Sequence, residues 1–97
     1  MRILSLPTLR SFWHRHAAAK APLQTWYREA SNAQWETMND VKQTYPHASI
    51  LDSERVVFNI GGNKYRLVVK VWFPGKQMYI KFIGTHREYD DVDVKQF

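Results

Sequence analysis

The spacing of apolar residues changes about half-way along this chain. In the first half, Leu9, Phe12, Trp13, His16 and Ala17 recur at i, i+3, i+4, i+7 and i+8, the period of one helix face. This pattern predicts a helix from Pro7 or Thr8, after a short strand from Arg2 to Leu6. Ala21-Pro22 opens a second helix, because proline is tolerated in a first turn whose N–H groups have no intrahelical acceptor. Its apolar face is Leu23, Trp26, Tyr27 and Ala30. Ser31-x-x-Gln34 has the form of a capping box for a third helical segment carrying Trp35, Met38 and Val41 and stopped by Pro46.

After a polar connection the period becomes two, as in strands with one buried face. Gly61-Gly62 signals a hairpin, since a two-residue type I′ turn needs positive φ at both central positions. Pro74-Gly75 marks a second turn. Pairing Phe73 with Lys76 across it sets Leu67 against Phe82, Val69 against Ile80 and Val71 against Met78, all apolar. The other face then carries Val68 against Lys81 and Lys70 against Tyr79. Across the first hairpin, Val56, Phe58 and Ile60 join the core side, and Arg55 and Asn59 the polar side. A slip of one residue would destroy this sorting. The expected fold is α+β: a first strand, two or three helices and a meander of three antiparallel strands. Phe12, Trp13 and Trp26 should pack on Leu67, Val69, Ile80 and Phe82. Ninety-seven residues suit a single domain, 1–97, and a chain of this size buries roughly 60–65% of its unfolded surface.

Composition narrows the chemistry. Cysteine is absent, which excludes disulfides, thiolate catalysis and cysteine-bound zinc. No stretch approaches the roughly 18 apolar residues of a membrane span. Met1 to Leu6 imitates a signal peptide but stops at Pro7, too short for its apolar region, so the cytoplasm is the expected compartment. His14-x-His16 on a helix points its members about 200° apart and His47 stands alone, so no metal site is expected. No nucleophile elbow, phosphate loop or carboxylate pair occurs, and no cofactor is expected.

The net charge is +5, and between Arg55 and Arg87 there are seven Lys/Arg and no Asp or Glu. Such a sheet repels itself unless a polyanion binds. Arg66, Lys70, Tyr79 and Lys81 share the polar face, with Arg66 diagonal to Lys81 at roughly 7–8 Å. That gap suits a phosphate gripped from two sides; the alternative is an ordinary solvated face. Thr85-His86-Arg87-Glu88 is a second capping box. It puts His86 in a first turn, where the helix dipole disfavours imidazolium and favours a bound anion. Tyr89 follows at i+3 on a neighbouring part of the helix surface. Asp90, Asp91 and Asp93 form an acidic, solvated end.

These segments, from Val57 through Gly61-Gly62-Asn63-Lys64-Tyr65-Arg66 to Val68, then Tyr79-Ile80-Lys81-Phe82 and Gly84-Thr85-His86-Arg87-Glu88-Tyr89-Asp90, resemble the HigB family of toxins in the RelE/ParE superfamily. The resemblance is close in the C-terminal half; in the N-terminal half it lies in the helix–helix layout more than in residues. It implies a RelE-like twisted antiparallel sheet with helices on one face. It further implies an mRNA endoribonuclease, usually acting in the A site of the 70S ribosome and restrained by a HigA-type helix-turn-helix antitoxin, with operator DNA reached only through the antitoxin complex and no membrane partner. By the same resemblance the site comprises Arg66, Lys81, His86 and Tyr89. Lys64, Lys70, Tyr79 and Arg87 would hold flanking RNA. Cleavage by the substrate's own 2′-OH needs a base, an acid and cations, and no metal. Two rival readings are a non-catalytic RNA- or ribosome-binding module and a ParE-like gyrase poison. The Thr-His-x-x-Tyr segment favours the nuclease, because a binder needs no proton-transfer pair.

Overall fold

The computed structural model describes residues 1–93 and 96–97. Its helical half follows the apolar spacing, with shifted ends. Strand β1 (Arg2–Leu4) stops early because Ser5 takes φ 74° and turns the chain. Helix α1 (Leu6–Arg15) buries Leu9 and Phe12. His16 leaves the helix as its C-terminal cap, and its ring stacks on Phe12 at 4.4 Å. A 3₁₀ turn (Ala17–Ala19) leads into α2 (Lys20–Asn32), which buries Leu23, Trp26 and Ala30.

The third helix starts later than its expected cap. Ser31 lies in the last turn of α2, so Ser31-x-x-Gln34 caps nothing. The working box is Thr37-x-x-Asp40, at the head of α3 (Met38–Thr44). Thr37 Oγ1 accepts from the Asp40 N–H at 3.3 Å, while the Asp40 carboxylate accepts from the N–H groups of Glu36 (2.9 Å) and Thr37 (3.1 Å). Those donors, Glu36 foremost, hold the Asp40 carboxyl below its ordinary value. Both tetrapeptides fit the capping pattern. Burial decides between them, because Ala30 is fully enclosed and carries α2 past Ser31. Trp35 is buried in the connection and donates through Nε1 to Thr44 Oγ1 at 3.0 Å.

The sheet has the order β1-β5-β4-β3-β2, with β2 (Ser49–Ile50), β3 (Arg55–Ile60), β4 (Tyr65–Trp72) and β5 (Gln77–Thr85). The central meander is antiparallel as expected, but β1 runs parallel to β5, so the sheet is mixed. A parallel pair needs a long crossover, and the helices between β1 and the meander supply it. Strand β2 lies in what reads in sequence as a polar connection.

The register departs from expectation at one point. Val69 pairs with Ile80, Lys70 with Tyr79 and Val71 with Met78, as predicted. Then a bulge opposite Val68/Val69 leaves Lys81 as the extra residue, and Val68 pairs with Phe82, Leu67 with Ile83 and Arg66 with Gly84. The expected Leu67–Phe82 and Val68–Lys81 pairs do not form. A bulge re-aims every side chain beyond it. Here Ile83 takes the core side, and Phe82 moves to the opposite face, across from the fully buried Val68 and stacked on Phe97 at 5.6 Å.

Both hairpin loops are longer than the two residues expected. Gly61 and Gly62 take φ 64° and 72°, yet the last pair is Ile60 with Tyr65, a four-residue connection. At the second turn the last pair is Trp72 with Gln77, and Lys76, not a glycine, has positive φ. Between the helices and the sheet, Trp26 meets Phe58 at 5.3 Å and Phe12 meets Tyr65 at 5.5 Å. Among the described residues, no helix is long and apolar enough to cross a membrane.

Candidate active site

The face of the sheet away from α1 and α2 carries Arg66, Val68, Lys70 and Trp72 along β4, since their alternates Leu67, Val69 and Val71 lie in the core. Helix α4 (His86–Asp90) adjoins this face at the end of β5. Its start is the capping box read from sequence. Thr85 Oγ1 accepts from the Glu88 N–H at 3.1 Å, and Glu88 Oε1 accepts from the Thr85 N–H at 2.8 Å. The Thr85 N–H is the main reason the Glu88 carboxyl titrates below its ordinary value. Glu88→Ala should cost about 1 kcal/mol of stability, read by urea unfolding.

Three of the four residues assigned to catalysis converge. Arg66 Nη2 lies 2.8 Å from His86 Nε2, and the Arg66 guanidinium sits 5.4 Å from the centroid of the Tyr89 ring. A guanidinium can only donate, so this bond requires the lone pair on Nε2 and puts the ring proton on Nδ1. Nδ1 lies 3.4 Å from Asp90 Oδ2, which can accept that proton's hydrogen bond. Asp90 therefore belongs to the cluster, although the sequence reading left it in a solvated acidic end. The available signal was its spacing: His86 and Asp90 are at i, i+4 on a helix. Among the described residues, Arg66 has no carboxylate partner and its buried Nε has no acceptor.

The helix-dipole argument for His86 weakens in three dimensions. Helix α4 has five residues, and the His86 N–H is donated to the Lys64 carbonyl at 3.1 Å instead of pointing at an anion. The partners of the imidazole are Arg66 and Asp90.

Lys81 is not drawn into this cluster. The bulge adds a residue between it and the partner of Arg66, and Lys81 groups instead with Tyr79 and Lys70 around a groove of about 360 Å³. Its Nζ lies 5.8 Å from the Tyr79 ring centroid, and Tyr79 donates its hydroxyl to Gln77 Oε1 at 2.6 Å. Lys64 and Arg87 are exposed beside the Arg66 cluster, Lys64 by its carbonyl bond to His86 and Arg87 in the first turn of α4.

Nor is the basic face free of acids. Asp52 binds Arg55 (Nη2 to Oδ2 2.5 Å) and Glu54 lies 3.4 Å from Lys70 Nζ. Both acids stand just before the acid-free stretch and fold back onto it. The Arg55 hydrogen bond, with the backbone N–H of Glu54, pulls the Asp52 carboxyl down to about 2. A lowered folded-state value means that this pairing is fully in place above the ordinary 3.8 and is lost as pH falls through about 2. Around the Arg66 cluster and the groove beside it, Arg66, Lys64, Lys81 and Arg87 have no carboxylate partner among the described residues.

The family described as "HigB_toxin, RelE-like toxic component of a toxin-antitoxin system" matches residues 19–92. A protein named mRNA interferase toxin HigB, from Escherichia coli, is 27% identical over 93 residues, covering 93% of this chain and 88% of its own length. The mRNA interferase HigB of Shigella flexneri gives the same figures. A further mRNA interferase HigB from another Escherichia coli strain is 23% identical over 94 residues, with 95% and 91% covered.

Proposed function

The chain belongs to the HigB family of RelE-like toxins, the toxic components of toxin–antitoxin systems, and from that premise we propose that it is an mRNA endoribonuclease that arrests translation. The names of its relatives support this reading. The observation that carries it is the Arg66–His86–Tyr89 cluster: an arginine without a carboxylate partner, held against an imidazole and a phenol. A scissile phosphate would take the Arg66 fork and free the Nε2 lone pair beside it. His86 then accepts the proton of the substrate's 2′-OH as its oxygen bonds to phosphorus, with Asp90 steadying the charged ring. The bond from phosphorus to the 5′-oxygen breaks, and that oxygen takes a proton, for which Tyr89 supplies the hydroxyl of the cluster. Arg66 balances the charge that builds on the phosphorane. Lys81, Lys70 and Tyr79 bind the strand further along the face, and Lys64 and Arg87 hold phosphates beside the cluster.

The products test this route. Fragments should end in a 2′,3′-cyclic phosphate and a 5′-hydroxyl; ends bearing a 3′-hydroxyl and a 5′-phosphate would overturn it. Ribosomes programmed with mRNA, compared with free mRNA, test whether cleavage needs the ribosome, as action in its A site requires. A HigA-type helix-turn-helix antitoxin is the partner in this reading. Co-expressed with the chain it should co-purify and relieve growth arrest, and a mixture that separates on a sizing column would remove that assignment.

Binding should fall steeply with salt, because each phosphate contact releases condensed counterions. Lys64→Ala and Arg87→Ala should each reduce the slope of log K against log salt by about 0.7, the single-strand value per phosphate. Binding that ignores ionic strength would count against a phosphate-holding face.

A further inference from the structure

The same sheet face runs on from Arg66 to an aromatic end that the proposed chemistry leaves unused. Trp72 is 54% exposed, whereas Trp26 and Trp35 are buried and Trp13 packs against the core. It stands six positions beyond Arg66 along β4, about 20 Å at the usual strand rise. Its ring has a close neighbour. A Cβ built on Gly75 would lie 2.3 Å from Trp72 Cζ3, so the indole rests against the bare backbone of the second hairpin loop. Glycine is required there for this close approach, and it leaves the rest of the indole open to solvent.

The neighbours of that ring are specific. Trp72 shares the groove of about 360 Å³ with Lys70, Tyr79, Lys81 and Glu54. Lys70 is answered by Glu54, which leaves Lys81, poised over the Tyr79 ring, as the groove's net positive charge. An exposed indole beside a tyrosine and a lysine without a carboxylate partner fits a partner that is flat, aromatic and anionic at a short distance from its ring. A nucleobase attached to its phosphate has that chemistry, and sequence-tolerant single-strand binding is built from such stacking platforms and cations. A purely apolar partner would find charged walls on the sheet side of the groove.

We propose that Trp72 is a stacking platform for a nucleobase of single-stranded RNA, several nucleotides away from the phosphate at Arg66, with Lys81 holding the adjoining phosphate. This rests on the reading of the chain as an RNA-cleaving toxin and extends that site along the sheet. The test separates the two. A 2′-O-methyl oligoribonucleotide cannot be cleaved by 2′-OH attack, so its binding is measured independently of catalysis: affinity by the fluorescence anisotropy of a dye on the strand, and contact with Trp72 by tryptophan quenching. It is compared with versions carrying one abasic residue, moved position by position.

Wild-type protein should show quenching on binding, and one abasic position should weaken affinity about tenfold, within the range of a single base–aromatic stack. Trp72→Ala should lose most of the quenching, bind the intact strand about tenfold more weakly and be indifferent to the abasic residue. Trp72→Phe should retain most of the affinity. Equal affinity of wild type and Trp72→Ala, or the same abasic penalty in both, would overturn the proposal while leaving the nuclease reading intact. Should Trp72→Ala fail to fold, an abasic scan of the wild type with no sensitive position would overturn it equally. Trp72-dependent binding by a protein that cuts no mRNA would instead uphold the platform and refute the nuclease.

Discussion

His86→Ala should abolish growth arrest on induction and lower mRNA cleavage by about 10²–10⁴-fold, the usual loss when a positioned acid–base group is removed. The expectation rests on the local bonding. Nε2 is the ring atom that faces Arg66, and Nδ1 is turned towards Asp90, so the imidazole presents a lone pair where the phosphate would dock. Arg66→Ala should fall nearly as far, about 10²–10³-fold, by removing the group that meets the transition-state charge. Arg66→Lys should recover little. It restores a charge but neither the planar fork nor the bond that orients His86. Tyr89→Phe separates the two roles open to that ring, since stacking under Arg66 survives the change and proton donation does not. Glu88→Ala is the control: it disturbs the same short helix through its cap without touching the cluster. If His86→Ala cuts at the wild-type rate while folded, the proton transfer must move to Tyr89.

Trp26→Ala should be the most damaging single change to stability, costing about 3–5 kcal/mol. A domain of this size has about 5–15 kcal/mol in total, so the variant should populate unfolded chains measurably at 37 °C. Trp26 is 2% exposed, projects from the middle of α2 and meets Phe58 on the central sheet. Its removal leaves a large void where the helix layer joins β3. Trp26→Phe should cost much less, because the indole Nε1 is buried with no acceptor among the described residues, and the phenyl ring carries no such unpaired donor. By contrast, Trp72→Ala should stay within about 0.5 kcal/mol, as expected for an exposed position. Urea unfolding measures all three. A Trp26→Ala variant as stable as Trp72→Ala would mean that α2 does not close the core as described.

Much of this molecule follows from local rules that a sequence states directly. The two-residue period of Val56, Phe58 and Ile60, and of Leu67, Val69 and Val71, sorts β3 and β4 because each strand has one buried face. The Thr85–Glu88 box starts α4 because its donors and acceptors lie within four residues. These fixed the side of the sheet on which Arg66 emerges and the turn that carries His86 and Tyr89. What the sequence could not determine depends on which distant groups compete for the same space. Through Ile80-Lys81-Phe82-Ile83 either Phe82 or Ile83 can supply the apolar partner of Leu67, and packing chose Ile83. The resulting bulge sent Phe82 over Val68 and Lys81 away from the Arg66 cluster. Ser31-x-x-Gln34 reads locally as a cap, but the burial of Ala30 carries α2 past it and the cap falls to Thr37. Asp90 reads as a solvated acid, and Asp52 and Glu54 lie outside the acid-free stretch, because nothing local says that the chain folds them onto His86, Arg55 and Lys70. Periodicity and capping act over a few residues and are written in order along the chain. Register, charge pairing and the bonds that orient an imidazole are settled only when strands and loops meet.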